Sequence, residues 1–449
     1  MPPPDVLIVG GGIAGLAAAT ELADSGLRPL ILEMRADGGG RASSFNDPAS
    51  GIRVDNGQHL LMGCYAETLR FLERIGARGD LIFQEQLEVN YLGDSKGPGR
   101  MRALNLPAPL HLLGGLLTFN LLSWRERFQT LRVGLAIQFG GSGGADESVR
   151  DWLTRLGQSR RVQTVLWDPI TIATLNEEPE RASAELLREV LRIAFFSSRE
   201  GSRLVIPATH LSDLYVGRAK SWLAARGSEF RPQAHVSEIL FDSGKVAGVR
   251  LRSGETILCG RVISAVPAHP LLSLLPQGIR SEAPFNRLEE LSGSPIVSVN
   301  LFYDRPVTDD PFVALLDSPI HWVFNRPRIL GEKSPQLHHY ALIVSGARTL
   351  LDVPNDRICA DAAREMVRVF PLAREAKLVR SVAVKDREAT FAQFPGVNGI
   401  RPGPVTRHEG FYLAGDWTGT RLPATIESAA LSGHQAARAL LDKGQPVRG

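Results

Sequence analysis

Gly10, Gly12 and Gly15 stand in the spacing G-x-G-x-x-G, a pattern that can hold a dinucleotide. The first glycine permits a tight turn, the second lets backbone approach a pyrophosphate, and the third lets a helix pack closely on its strand. Ile13 and Ala14, inside the motif, would open that helix and turn free N–H groups and a positive dipole end toward the phosphates. The spacing alone is weak, because 44 of the 449 residues are glycine. Its setting strengthens it. Val6–Val9 reads as a buried strand before it and Pro29–Leu32 as another after it, and Glu33 ends the second strand with Met34 alongside. A carboxylate at that position accepts hydrogen bonds from ribose hydroxyls.

Further segments could face the same ligand. In Gly38-Gly39-Gly40-Arg41 the glycines up to Gly40 clear side-chain bulk and Arg41 offers a fixed cation to a phosphate. An ordinary glycine loop with a solvated arginine would use the same residues. Asp55-Asn56-Gly57-Gln58-His59 carries an Asn-Gly turn signal, with a polar hairpin as its plain alternative. Gly415-Asp416-Trp417 follows a strand ending at Ala414, at the edge where parallel sheets bind ligands. Asp416 could hold a hydroxyl of a flavin's ribityl chain. Pro423-Ala424-Thr425-Ile426 opens a helix whose N–H groups could stabilise negative charge at the N1/O2 edge of a reduced flavin.

The elements that must position these residues follow from periodicity and punctuation. Ile13–Ser25 reads as an alanine- and leucine-rich helix stopped by Gly26, which completes a βαβ unit with a parallel sheet. Leu110–Trp124 is almost wholly apolar and is followed by Arg125, Arg127 and Arg132. It is too short to span a bilayer, and either lies at a membrane surface or forms a buried helix pair. Gly140–Ala145 reads as a flexible linker, and residues 147–230 as helical with breaks near Pro169, Pro179 and Pro207. Strands are expected at Ala234–Phe241, Val246–Arg252, Arg261–Val266, Ile296–Tyr303, His339–Val344 and Phe411–Ala414, and helices at Asp356–Phe370 and Ala424–Leu441.

Composition narrows the class. Charged residues are 22% and hydrophobic ones 43%, ordinary for a globular chain of two or three domains. A net charge of +3 argues against a general nucleic-acid binder. Cys64, Cys259 and Cys359 are scattered, forming neither a disulfide framework nor a zinc site, so no metal is expected and a reducing compartment fits. The N-terminus lacks a basic stretch before its apolar run and does not read as a signal peptide.

Together these motifs resemble the flavin amine oxidase and phytoene desaturase superfamily, and within it the hydroxysqualene dehydroxylase family, also described as squalene-associated FAD-dependent desaturases. The resemblance rests on Asp55–Gly63, on Leu166-Trp167-Asp168-Pro169 through Leu175-Asn176, and on Leu413–Thr418 with Leu422–Glu427. It is looser around residues 276–395. It implies an α/β fold with a discontinuous Rossmann-like FAD-binding domain (1–80, 222–275 and 395–449). An inserted α+β substrate domain (81–221 and 276–394) would carry a membrane-facing helical region near 107–139.

The resemblance also implies FAD as cofactor, an adenine-side backbone contact at Val236, Arg41 as the glycine-loop arginine and Asp416 on the ribityl chain. Backbone at Gly57 and Gln58 would line the flavin, and Gly415, Thr425 and Ile426 complete the cofactor set. The implied reaction is reductive: hydroxysqualene and reduced FAD give squalene, water and oxidised FAD. Hydroxide leaves poorly, so a proton donor is needed, and His59 is the first candidate with Asp168 the second. The implied setting is the inner face of the cell membrane, peripherally bound on the cytoplasmic side. The external electron donor is not legible. Carotenoid desaturation, amine oxidation and prenyl-lipid escort without turnover are the alternatives.

Overall fold

Val6–Val9 and Pro29–Leu32 are apolar runs buried along their whole length. Burial on both faces is what a parallel sheet between helices imposes. Both strands join a five-stranded, wholly parallel sheet in the order Glu229–Arg231, Pro29–Leu32, Val6–Val9, Val262–Ser264, Phe411–Leu413. The structure, a computed structural model, describes residues 3–47, 51–139 and 146–444. The linker expected at Gly140–Ala145 lies outside the described residues.

Helix Ile13–Asp24 and helix Ile426–Gly444 pack together against this sheet. Small residues set their approach: a Cβ at Gly433 would stand 2.1 Å from the Ala14 carbonyl oxygen. Two terminal segments of the chain thereby meet where the glycine motif turns. A three-stranded antiparallel sheet, Val236–Asp242, Lys245–Leu251 and Thr256–Leu258, flanks the parallel one.

A seven-stranded sheet forms a second layer, in the order Leu378–Phe391, Gly293–Tyr303, His338–Ser345, Trp322–Asn325, Phe312–Leu315, Glu88–Leu92, Gly99–Arg102. Its pairs are antiparallel except that of Phe312–Leu315 with Glu88–Leu92. Helices from residues 110–224 cover the space between the layers, beginning with Leu110–Thr118 and Trp124–Phe139. Among the described residues no helix is long and apolar enough to cross a membrane.

Two expectations change. Pro169 does not break its helix: a π turn at Gln163–Trp167 runs directly into helix Asp168–Leu175, with Pro169 in the first turn. The Asp168 N–H reaches back five residues to the Gln163 carbonyl, and this widened turn accommodates a next residue with no N–H to give. The domain boundary expected between residues 221 and 222 falls inside helix Gly217–Ala224. Ala219 and Leu223 of that helix, with Leu214 and Tyr215 before it, pack into the core of the parallel sheet.

Candidate active site

A cavity of about 1350 Å³ runs from the glycine turn, between the two layers, to the helices around residues 110–139. Its first end is built of backbone. Gly10, Gly12, Ile13 and Ala14 line it, with Gly39, Gly40 and Arg41 facing them. The two loops are joined by the Gly39 N–H donating to the Gly11 carbonyl at 2.9 Å. Gly10 holds φ at +108°, and a Cβ there would meet the Ala265 carbonyl oxygen at 2.9 Å, so only glycine fits. Gly15 does not line the cavity. Its added Cβ would stand 2.0 Å from the Gly10 carbonyl oxygen, which makes it the close-packing glycine of the turn.

Glu33 is buried, accepting from the Gly11 N–H at 2.7 Å and the Arg35 N–H at 2.8 Å. Each carboxylate oxygen keeps a second lone pair for a diol. Met34 is exposed at the rim, and Val236 lines the same end. Helix Ile13–Asp24 has no acidic side chain in its first turn, so nothing of its own cancels the positive end. This bare-backbone cradle with a carboxylate beside it fits the dinucleotide half of FAD.

Asp416 is buried in the cavity wall with its Oδ1 2.5 Å from Arg41 Nη2. Burial works against the Arg41 cation, but Asp416, with Asp386 and Glu388, holds it firmly charged. The loop carrying Asp416 is fixed by buried Arg401, which donates to the Asp416 carbonyl at 2.9 Å and the Leu422 carbonyl at 2.8 Å. Gly415, Thr425 and Ile426 line the wall, and the Thr425 hydroxyl accepts from the Ser428 N–H at 3.1 Å, capping the last helix. Glu427 turns away, taking the Thr68 N–H at 2.8 Å and the Glu67 N–H at 3.0 Å. The N-terminal N–H groups of the last helix therefore face the cavity without a carboxylate between.

In the middle of the cavity lie Gly57, Gln58 and His59. Their loop is anchored by buried Arg326, whose Nη2 stands 2.7 Å from Asp55 Oδ2 and whose Nη1 donates to Gln58 Oε1. Asp55 also receives Ser44 Oγ at 2.7 Å and the Leu211 N–H at 3.1 Å. Burial would raise the Asp55 carboxyl, but His210, Arg326 and Ser44 outweigh it and hold it at about 2. His59 is shifted downward from the usual histidine value, chiefly by burial and in part by Arg41, against Asp55 and a ring hydrogen bond to the Asn56 backbone.

Beyond His59 the walls become apolar. Trp322 and Phe324 alternate on one strand face, and Trp167 and Phe196 project from π turns at Gln163–Trp167 and Arg192–Phe196. Leu112, Leu116, Leu131 and Ile137 close this end from the two helices. Leu113, Leu135 and Phe139 both line the cavity and are exposed, Phe139 to 79%, so the cavity opens there. Leu110, Leu117, Trp124 and Phe128 extend the exposed apolar surface around the mouth.

Asp168 is not brought to this site. It lies outside the cavity lining, with Oδ2 3.0 Å from Arg150 Nη2, and burial raises its carboxyl against that pairing. Its neighbours Trp167 and Pro169 do line the cavity, because successive helical positions point to different faces. The reading of the sequence passed over Ser298, Arg326 and Arg401. Ser298 carried a signal, as a polar residue within the apolar strand Ile296–Tyr303; the two arginines act across sequence separations that no local pattern reveals.

The flavin-containing amine oxidoreductase family matches residues 13–441. A hydroxysqualene dehydroxylase of Rhodopseudomonas palustris is 29% identical over 459 residues, covering 98% of this chain and 99% of that protein. A 15-cis-phytoene desaturase of Glycine max is 25% identical over 461 residues, covering 99% of this chain and 80% of that protein. Among solved structures, an oxidoreductase from Methanosarcina mazei has a TM-score of 0.76 at 18% identity, covering 97% of this chain and 99% of that one, a likeness of fold.

Proposed function

Because the chain belongs to the flavin-containing amine oxidoreductase family, we propose that this FAD-dependent oxidoreductase converts hydroxysqualene reductively to squalene. The observation that carries the reading is one continuous cavity, a dinucleotide cradle at one end and an aromatic, apolar channel at the other, with His59 at the junction. The full-length likeness to a hydroxysqualene dehydroxylase supports the substrate.

Gly10, Gly12, Ile13 and Ala14 would hold the pyrophosphate, Glu33 and Met34 the ribose side, and Val236 the adenine side. Gly40 and Arg41 would close over the phosphates. Asp416 would hold the ribityl chain, with Gly57, Gln58, Gly415, Thr425 and Ile426 around the ring. Reduced FAD, once bound, supplies the hydride that replaces the departing oxygen. The chain's own task is to make that oxygen leave. His59 donates a proton to the allylic hydroxyl, which departs as water and leaves a cation spread over the double bond. Trp322 and Phe324 wall this region with π faces and exclude solvent that would trap the cation.

The channel mouth supports delivery from a membrane. Exposed Leu110, Leu117, Trp124 and Phe128 surround it, and exposed Arg125 suits anionic head groups. On this reading the chain docks peripherally on the inner face of the cell membrane. The division into cofactor segments (1–80, 222–275, 395–449) and substrate segments (81–221, 276–394) belongs to the same proposal, which moves the boundary at 221 ahead of helix Gly217–Ala224.

The likeness to a phytoene desaturase favours a second reading, in which a polyene in the same channel gives up hydride. Product analysis separates them. Purified, FAD-loaded protein with a chemical reductant should convert hydroxysqualene to squalene. Consumption of phytoene by the oxidised protein, with hydroxysqualene untouched, would replace this proposal by the second.

A further inference from the structure

Ser298 places a hydroxyl on the cavity wall across Gly57 from His59. It lies on strand Gly293–Tyr303, facing the cavity between Ile296 and Asn300, and is 5% exposed. No hydrogen bond to its Oγ exists among the described residues. Its Oγ faces the cavity instead of a protein partner, so a bound molecule can take it as a hydrogen-bond donor or acceptor.

The neighbouring backbone leaves room for that partner. Gly57 holds φ at +79°, and a Cβ there would stand 3.8 Å from both Ser298 Oγ and His59 Nε2. The two polar atoms are thus no more than twice that distance apart, across a gap cleared by a glycine. Val384 and Ile343 pair with Ser298 on the same sheet and Trp322 follows next, while Asp386 and Ser345, both paired with Ile296, lie one step along the same face.

We propose that Ser298 and His59, across the bare backbone of Gly57, form an oxygen-binding notch that selects an isoprenoid alcohol over the corresponding hydrocarbon. Ser298 accepts from, or donates to, the substrate hydroxyl and holds it toward His59. This deepens the dehydroxylation reading and rests on it for the identity of the alcohol. The preference for a hydroxyl over a hydrogen follows from the notch alone. A site built to bond a hydroxyl leaves its own polar groups unpaired when the hydroxyl is missing.

The test is binding to the oxidised, FAD-loaded protein, where no turnover intervenes. Dissociation constants for hydroxysqualene and squalene are read from the perturbation of the flavin absorbance. Wild-type protein should bind the alcohol more tightly. Ser298→Ala should weaken the alcohol about tenfold and leave squalene unchanged, as loss of one hydrogen bond predicts. Ser298→Thr, which keeps the hydroxyl, should retain the preference. The unchanged squalene constant shows that the cavity is intact. Should Ser298→Ala lose its flavin, Ser298→Cys keeps the volume with a weaker hydrogen bond and must shift the ratio the same way. An alcohol-to-hydrocarbon ratio unmoved by the variants, or a wild type with no preference, overturns the inference. Failure of the reduced protein to make squalene, with the preference intact, would instead remove the redox reading and leave the notch standing.

Discussion

Arg326 Nη2 lies 2.7 Å from Asp55 Oδ2, with the side chains only 2% and 5% exposed, and this pair ties the seven-stranded layer to the loop that carries His59. Removing one partner of a buried pair strands the other charge. Arg326→Met should destabilise the protein by about 3–5 kcal/mol, measured by urea unfolding of the FAD-loaded form. Combining it with Asp55→Asn should recover part of that loss. A single variant as stable as wild type would show that the pair does not anchor the loop.

The same carboxylate gives a pH dependence. Asp55 is held at about 2 against an ordinary value of 3.8. A folded value below the unfolded one stabilises the protein fully above the unfolded value, and that contribution fades as pH falls toward the folded one. The Asp55 contribution should therefore be lost between about pH 4 and 2, and Asp55→Asn should flatten that part of a stability-versus-pH curve.

Two glycines of one motif should respond differently. A Cβ at Gly12 meets only Gly40 Cα at 3.9 Å, whereas at Gly15 it strikes the Gly10 carbonyl oxygen at 2.0 Å. Gly12→Ala should fold within about 1 kcal/mol of wild type, since Gly12 caps its helix without a side-chain bond. Its methyl group should nevertheless crowd the phosphates and leave the purified protein largely free of FAD. Gly15→Ala should lose the folded protein itself. Melting curves and flavin content together distinguish the two, and a fully yellow Gly12→Ala protein would contradict the phosphate placement.

Burial holds His59 below the usual 6.5, so the protonated, donating form declines as pH rises through that lowered value. If His59 supplies the proton, kcat/KM of the reduced protein should climb toward acid pH with a limb below 6.5. His59→Gln should lower turnover by about 10²-fold or more and erase the limb. Retained turnover with the limb unchanged would assign proton donation elsewhere. Folding adds a second signature of the same shift: the neutral form is favoured, so the His59 contribution to stability is present above 6.5 and lost as pH falls below it.

The cofactor end was legible because its rules are local. Val6–Val9, Pro29–Leu32 and Phe411–Leu413 stand within a residue of their expected bounds, since each is an apolar run closed by glycine, proline or a carboxylate. The middle of the site was not legible. Asp55 and Arg326 are 271 residues apart, and pairing at that distance leaves no trace in either segment. Strands Glu88–Leu92 and Gly99–Arg102 carry charge and glycine, and gain their place only by adding to a sheet formed mostly from residues beyond 290. Asp168 misled for a local reason. Trp-Asp-Pro suggests a turn, but a π turn carries the helix through Pro169, and the carboxylate pairs with Arg150 instead of facing the cavity.

On the proposed function, hydroxysqualene loses its oxygen at the expense of reduced flavin in this cavity. Anaerobic single turnover tests it most directly: photoreduced protein mixed with one equivalent of hydroxysqualene, followed by flavin absorbance and product extraction. The oxidised flavin spectrum should return as squalene forms, one molecule per flavin. A spectrum that stays bleached, with hydroxysqualene recovered intact from well-folded, FAD-loaded protein, would contradict it.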